Sequence, residues 1–348
     1  MTGRPWRDLA ISLLLSAVFL TIFVGRADMR AVFGEIVAVR PGYLFASMAA
    51  FLAATGYRGV RWAHLMSTER TVSRRDGVEC TLMGWSVTML LPGRLGDLAR
   101  PLLIARRERV RRSLALGAIA LERVLDLLVV LAMLALYLAI WFEPTGASER
   151  MRIVVAGLRV GGWTVLFGLL LAFALITALR SRFQAPRAHA ARLLALLPER
   201  WRARAGSSGG AFLEGLAGPR GGRALAAAAG QTLVLWLLIC SSHGFLFRAF
   251  GMQLPLYSVF PLLVMIIIGS LVPTPAAVGT YHAAVQFVLT ELLDQPLDVA
   301  SGYALTSHAL AYLPAGVLGG WLLAKEGSSA IVMAMLSARD SRGDREIG

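Results

Sequence analysis

The chain has 348 residues, 57% of them hydrophobic and only 16% charged, with a mean hydropathy of +0.64 and a formal net charge of +14. Soluble domains carry about 25% charged residues, so these values exclude an ordinary water-soluble enzyme, a disordered chain and a disulfide scaffold. The basic residues, 34 Arg and one Lys, lie between apolar runs, which reads as membrane orientation and not as a nucleic-acid surface.

In chain order, Arg4 and Arg7 precede an apolar run from Leu9 to Val24. No small-residue cleavage site follows it, so it is read as the first span and not as a removed signal. Six full spans are predicted, at about 9–25, 43–62, 114–141, 153–179, 224–247 and 299–323. Two further apolar segments are interrupted. Val78–Leu91 has 14 residues, roughly 21 Å of helix, against a hydrocarbon core about 30 Å thick. It runs into LPGRLGD (Leu91–Asp97) and then Leu98–Ala105. Leu256–Val272 likewise runs into PTPAAVG (Pro273–Gly279) and then Thr280–Leu293. Pro and Gly break helices at both places.

Charge orients these segments. If each interrupted segment enters and leaves on one face, and the N-terminus is cytoplasmic, the inside segments are 1–8, 61–76, 106–113, 180–223 and the tail from Lys325. They carry 24 Lys and Arg, against 6 in the outside segments 25–42, 143–152, 248–255 and 294–298. The positive-inside rule favours this arrangement. It makes the chain an all-α polytopic membrane protein of six transmembrane helices plus two re-entrant helical hairpins, eight membrane segments in an inverted-topology repeat. Residues 1–325 form one integral-membrane domain with repeat halves of about 9–141 and 153–323. Residues 326–348 form a polar tail, and both termini are cytoplasmic. Interrupted helices in corresponding positions of two inverted halves mark a transporter's substrate site; two kinked spans in an eight-helix bundle are the plainer alternative. The loop 180–223 is Arg-rich, and RAHAARLLALLPERW (Arg187–Trp201) reads either as a surface helix on anionic headgroups or as an ordinary charged loop.

Ionisable residues in hydrocarbon are costly and point to function. Glu122 and Asp126 are four apart and share a helix face, with Arg123 three before Asp126. They read as a substrate site or as a self-neutralising pin between helices. In the first hairpin, Pro92 and Gly93 make the break, and Arg94, Gly96, Asp97 and Arg100 surround the start of the next helix, where free N–H groups favour an anion. Asp97 capping that helix, with Arg94 as its partner, is the structural alternative. In the second hairpin, Pro275 and Gly279 make the break and Tyr281 and His282 follow, with His243 and His308 in neighbouring spans. No HExxH pair, Walker A loop, GxSxG elbow or GxGxxG is present, and no metal or cofactor is implied.

These residues carry a resemblance. LPGRLGDLARPLLI, then ALERVLDLLVV, then PTPAAVGTYHAAV resemble the lysylphosphatidylglycerol synthase transmembrane-region family over nearly the whole chain. The resemblance implies a flippase-like membrane domain without a soluble aminoacyl-transferase. Carried over by position, the LPGRxGD/E element falls on Leu91–Asp97 and the ERxxD element on Glu122, Arg123 and Asp126. The late PxGGxGxxE element falls on Pro275, Ala276, Ala277, Gly279 and His282. Ala-Ala thus stands for the usual Gly-Gly, and His282 stands where Glu is expected. The expected activity is translocation or binding, in the bacterial inner membrane, of an anionic phospholipid or a polyprenyl-phosphate-linked lipid. Arg94, Arg100 or Arg123 would meet the phosphate, and Glu122, Asp126, Asp97 or His282 would balance charge. A membrane-embedded enzyme on a lipid phosphate, with His282 as base, and a non-transporting partner of a lipid-modifying enzyme are the rival readings.

Overall fold

The computed structural model describes residues 5–67, 71–90, 96–142, 156–157, 159–168, 170–171, 218, 222–272 and 274–326. Most of the predicted span 153–179, the loop 180–223 and nearly all of the tail 326–348 lie outside the described residues. Every regular element described is helical, and no strand occurs among these residues. The elements are α1 (Pro5–Arg26), α2 (Met29–Val37), α3 (Pro41–Met66), α4 (Arg74–Leu90), α5 (Gly96–Arg107) and α6 (Arg112–Ile140). They continue with α7 (Gly222–Ala249), α8 (Val259–Leu271), α9 (Thr280–Phe287) and α10 (Leu297–Glu326).

Two described helices are both long and apolar enough to cross a membrane, α6 and, over Arg223–Ala249, α7. A third span results if α1 and α2, bent by 84° over Ser12–Gly25 and Met29–Val37, are one broken crossing. α3 has 26 residues and α10 has 30, about 39 and 45 Å at 1.5 Å per residue. Their hydropathy is diluted by residues turned inward: Ser47, Thr55 and Arg61 on α3, and Ser301 and Ser307 on α10, are buried.

Local chemistry sets several boundaries. Asp28 caps α2, its Oδ1 accepting from Arg30 N at 2.9 Å. This helix lies where the sequence predicts only an external loop. Pro41 opens α3 at a first-turn position, where its missing N–H costs nothing. α3 then runs four residues past its predicted end, so Arg61, counted above with the cytoplasmic loop, belongs to the helix. After α9 the chain tightens into one π turn, Val288–Leu292, before α10.

Packing ties the two halves together. α3 lies along α7, where Ser47 Oγ donates to Ser242 O at 2.8 Å. α4 is sandwiched by α3, α5 and α10. At the α4–α5 contact, a Cβ on Gly96 would collide with Gly84 O and Thr88 Oγ1, so only glycine lets these helices meet. Two apolar cores result. One joins Trp62, Met66, Met83, Leu103 and Leu114 with Leu323 of α10. The other joins Trp236, Phe247, Leu262, Val285 and Tyr303 with Phe23 of α1. Each terminal helix thus seals the core of the opposite half.

Candidate functional site

The α6 sequence LERVLD places Glu122 and Asp126 on one face, and that face turns inward. Glu122 is 0% exposed and Asp126 is buried. α3 meets them with Arg58 and Arg61, three residues apart on one face. Arg61 Nη1 donates to Asp126 Oδ1 at 2.7 Å and to Thr232 Oγ1 of α7 at 2.9 Å, and its Nη2 lies 3.3 Å from Glu122 Oε1. Arg58 Nη1 is 3.5 Å from Asp126 Oδ2 and 3.7 Å from Glu122 Oε1. From α5, buried Arg100 donates to Glu122 Oε2, with its guanidinium carbon 4.2 Å from the centre of the Trp62 ring. Trp236 of α7 completes the set, its Nε1 donating to Asp126 Oδ1 at 3.1 Å.

Arg123 closes the open side. Its Nη2 is 3.2 Å from Glu122 Oε1 and 3.8 Å from Asp97 Oδ1, and its Nη1 is 3.9 Å from Asp126 Oδ2. The Arg123 side chain is 39% exposed and that of Asp97 38%, so this pair borders open space while Glu122 and Arg61 are sealed. The cluster holds four guanidiniums against three carboxylates. Arg100 Nε and Arg123 Nε are buried without an acceptor, and a buried donor left unpaired costs about 1–3 kcal/mol.

A cavity of about 390 Å³ opens beside this cluster, within the roughly 300–1,000 Å³ typical of small-ligand sites. Arg58, Arg100, Arg123, Asp97 and Asp126 form its charged wall. Trp85, Tyr312, Trp236 and His243 form an aromatic wall, and Leu127, Ile266, Ile267 and Leu271 an apolar one. Leu127 and Leu271 are themselves largely exposed, so the apolar side of the cavity reaches the outer surface between α6 and α8.

The second break lies at another side of the same cavity, which Thr274, Ala277 and Tyr281 touch. Pro275 begins a short 3₁₀ turn in which Ala276 (φ 48) and Ala277 (φ 56) both adopt left-handed backbone. Such backbone costs an L-residue roughly 1–2 kcal/mol, which explains why Gly-Gly is the commoner choice in the motif. His308 holds the turn, its Nε2 donating to Ala276 O at 2.8 Å. Gly279 (φ 88) packs on α1, where a Cβ would lie 2.8 Å from that of Phe19. His282 Nδ1 accepts from Gly279 N at 3.2 Å, and its ring packs 5.3 Å from Phe23. The imidazole therefore braces the turn, and it is not part of the cavity wall.

Of the residues singled out in the sequence, Gly96, Asp97, Arg100, Glu122, Arg123 and Asp126 come together at one site. Pro275, Gly279 and His282 form the second turn beside it. Pro92, Gly93 and Arg94 lie outside the described residues. Sequence reasoning missed Arg58, Arg61, Thr232 and Trp236. The two arginines carried a usable signal, since ionisable groups in an apolar span need inward partners; Thr232 and Trp236 carried none. Among the described residues, no group of three or more His, Cys, Asp or Glu could hold a metal ion.

Comparison with known proteins gives one family. The model described as "Lysylphosphatidylglycerol synthase TM region" matches residues 9–319. No curated protein and no solved structure gives a significant match.

Proposed function

This chain belongs to the lysylphosphatidylglycerol synthase transmembrane-region family, and from that premise we propose that it binds an amphiphile with an anionic head and passes it across the bacterial inner membrane. The observation that carries the reading is the cavity's mixed wall. Arg58, Arg100 and Arg123 stand on one side, and Leu127, Ile266 and Leu271 lead from the other to the outer surface. Planar guanidiniums bind phosphate oxygens in pairs. A cavity of about 390 Å³ suits a headgroup, while the acyl chains stay among the outward apolar side chains.

The transport geometry in this reading is an inverted repeat. α4 with α5, and α8 with α9, act as re-entrant hairpins. The lengths support this: α4 has 17 residues and α8 has 13, about 26 and 20 Å, short of a core roughly 30 Å thick. The contact between α3 and α7, which hold corresponding places in the two halves, also supports it. Asp97 and Arg123, the exposed pair of the cluster, exchange partners as the headgroup enters. The lipid gradient or an ion gradient drives the cycle.

The test is movement of fluorescent lipids by the purified protein in proteoliposomes, with a panel of headgroups and with Arg100→Gln as control. Protein-dependent movement of anionic lipids, lost in Arg100→Gln, is expected. Equal rates in protein-containing and empty vesicles for every lipid would overturn the proposal.

A further inference from the structure

We infer that the cavity selects a lipid whose head bears one net negative charge and neutral hydroxyls, a phosphodiester of glycerol or of a sugar, and rejects a head carrying an ammonium group. This inference rests on the lipid-binding reading and narrows its substrate class.

The first argument is charge. An ammonium head needs a carboxylate to receive it, and each one here is already taken. Glu122 is enclosed by four guanidiniums, Asp126 accepts from Arg61 and Trp236, and Asp97 faces Arg123. Four arginines against three carboxylates leave one positive charge beside the cavity. That surplus matches a single phosphodiester and repels a cationic head. It also leaves buried donors, Arg100 Nε and Arg123 Nε, for which phosphate oxygens are suitable acceptors.

The second argument is the polar complement of the remaining wall. Thr55, Thr81, Thr88 and Ser270 line the cavity, and each hydroxyl donates to the carbonyl four residues earlier in its own helix: Phe51, Gly77, Gly84 and Ile266. Their protons are committed, so their oxygens face the cavity as acceptors. A polyol supplies the matching O–H donors without adding charge. Trp85 and Tyr312, edge to face at 5.1 Å, give it a flat apolar platform on the same wall.

The experiment is native mass spectrometry of the full chain in detergent, with lipids of matched acyl chains added at equal concentration. The probes are phosphatidylglycerol, phosphatidylethanolamine and lysyl-phosphatidylglycerol, with a glycosyl-phosphoryl-polyprenol as a second anionic arm. Retention of phosphatidylglycerol or the glycosyl lipid at least tenfold above lysyl-phosphatidylglycerol is expected, and whichever of the two is retained more identifies glycerol or sugar as the head. Two variants keep the test independent of folding defects. Arg123→Gln removes the surplus charge and should narrow the preference at least threefold; Asp97→Asn enlarges the surplus and should widen it. Equal or stronger retention of lysyl-phosphatidylglycerol, or a shift in the same direction by both variants, would overturn this inference alone. Retention of no lipid would overturn the lipid-binding reading as well.

Discussion

Glu122→Gln keeps the side-chain shape at the centre of the α3–α5–α6 cluster and removes its charge. Four guanidiniums lie within 3.7 Å of that carboxylate, and water reaches none of it. Removing one partner of a buried ion pair costs about 3–5 kcal/mol, because the other charge stays desolvated and unpaired. Asp126 offsets only part of the loss, since it already serves Arg61. A double-mutant cycle isolates the pair: adding Arg100→Gln withdraws one stranded cation, so the double variant should recover about 1–3 kcal/mol relative to additivity. The assay is denaturant unfolding in detergent micelles, reading the midpoint for the parent, both single variants and the double variant. A Glu122→Gln midpoint within about 1 kcal/mol of the parent, the size of an average substitution, together with zero coupling to Arg100→Gln, would refute the view that Glu122 is the counter-ion on which the cluster depends.

Other outcomes follow from the packing. Gly96→Ala places a methyl group against Gly84 O and should destabilise by about 1–3 kcal/mol, as overpacking does, seen as a lower unfolding midpoint and weaker lipid retention. Ala276→Val puts a β-branched side chain at φ 48 and should cost at least the roughly 1–2 kcal/mol of left-handed strain again; Ala276→Gly should stay within about 1 kcal/mol of the parent, since strain relief is offset by unfolded-state entropy. His282→Gln should keep lipid movement and its pH profile, with a loss of about 0.5–2 kcal/mol in stability for the cap on Gly279; a flattened pH profile would restore His282 to the transport step. Cysteines placed at 106–113 and 294–298 should label from opposite faces of the membrane, and labelling from one face would rule out the inverted repeat.

The long helices were legible because their apolar runs are long and their ends chemically marked. α6 and α10 begin and end within three residues of the predicted bounds. α2 was not legible, because nine residues carry too few turns for periodicity to stand out; only Asp28 as a cap marked it. Within the site, Glu122 and Asp126 could be paired by spacing alone, since both lie on one helix. Their actual partners Arg58 and Arg61 come from 61 or more residues away, and no local rule brings α3 to α6. The residues at 276 and 277 were noted as a departure from the usual Gly-Gly, but their left-handed backbone depends on α1 and His308 holding the turn. His282 was open between charge carrier and packing residue on sequence grounds. Its hydrogen bond to the turn, and its place outside the cavity wall, follow from the tertiary position of α1.

The exchange of terminal helices between the two cores has a temporal consequence during synthesis. Ser16 Oγ donates to Val278 O, a contact spanning 262 residues, which at about 5–20 residues per second takes roughly 13–50 s to become available. Throughout that interval α1 must wait in lipid with its eventual neighbours unmade, and α4 waits equally for Leu323 and the rest of α10. The ionic cluster does not wait. Arg58, Arg61, Arg100, Glu122, Arg123 and Asp126 all emerge within the first 126 residues, so their charges can be matched as soon as α6 inserts. Only the finishing donors and acceptors, Trp236 and Thr232, arrive later. The costliest groups to expose to hydrocarbon are thus paired first, and the apolar contacts, which lipid tails imitate well, are left for last.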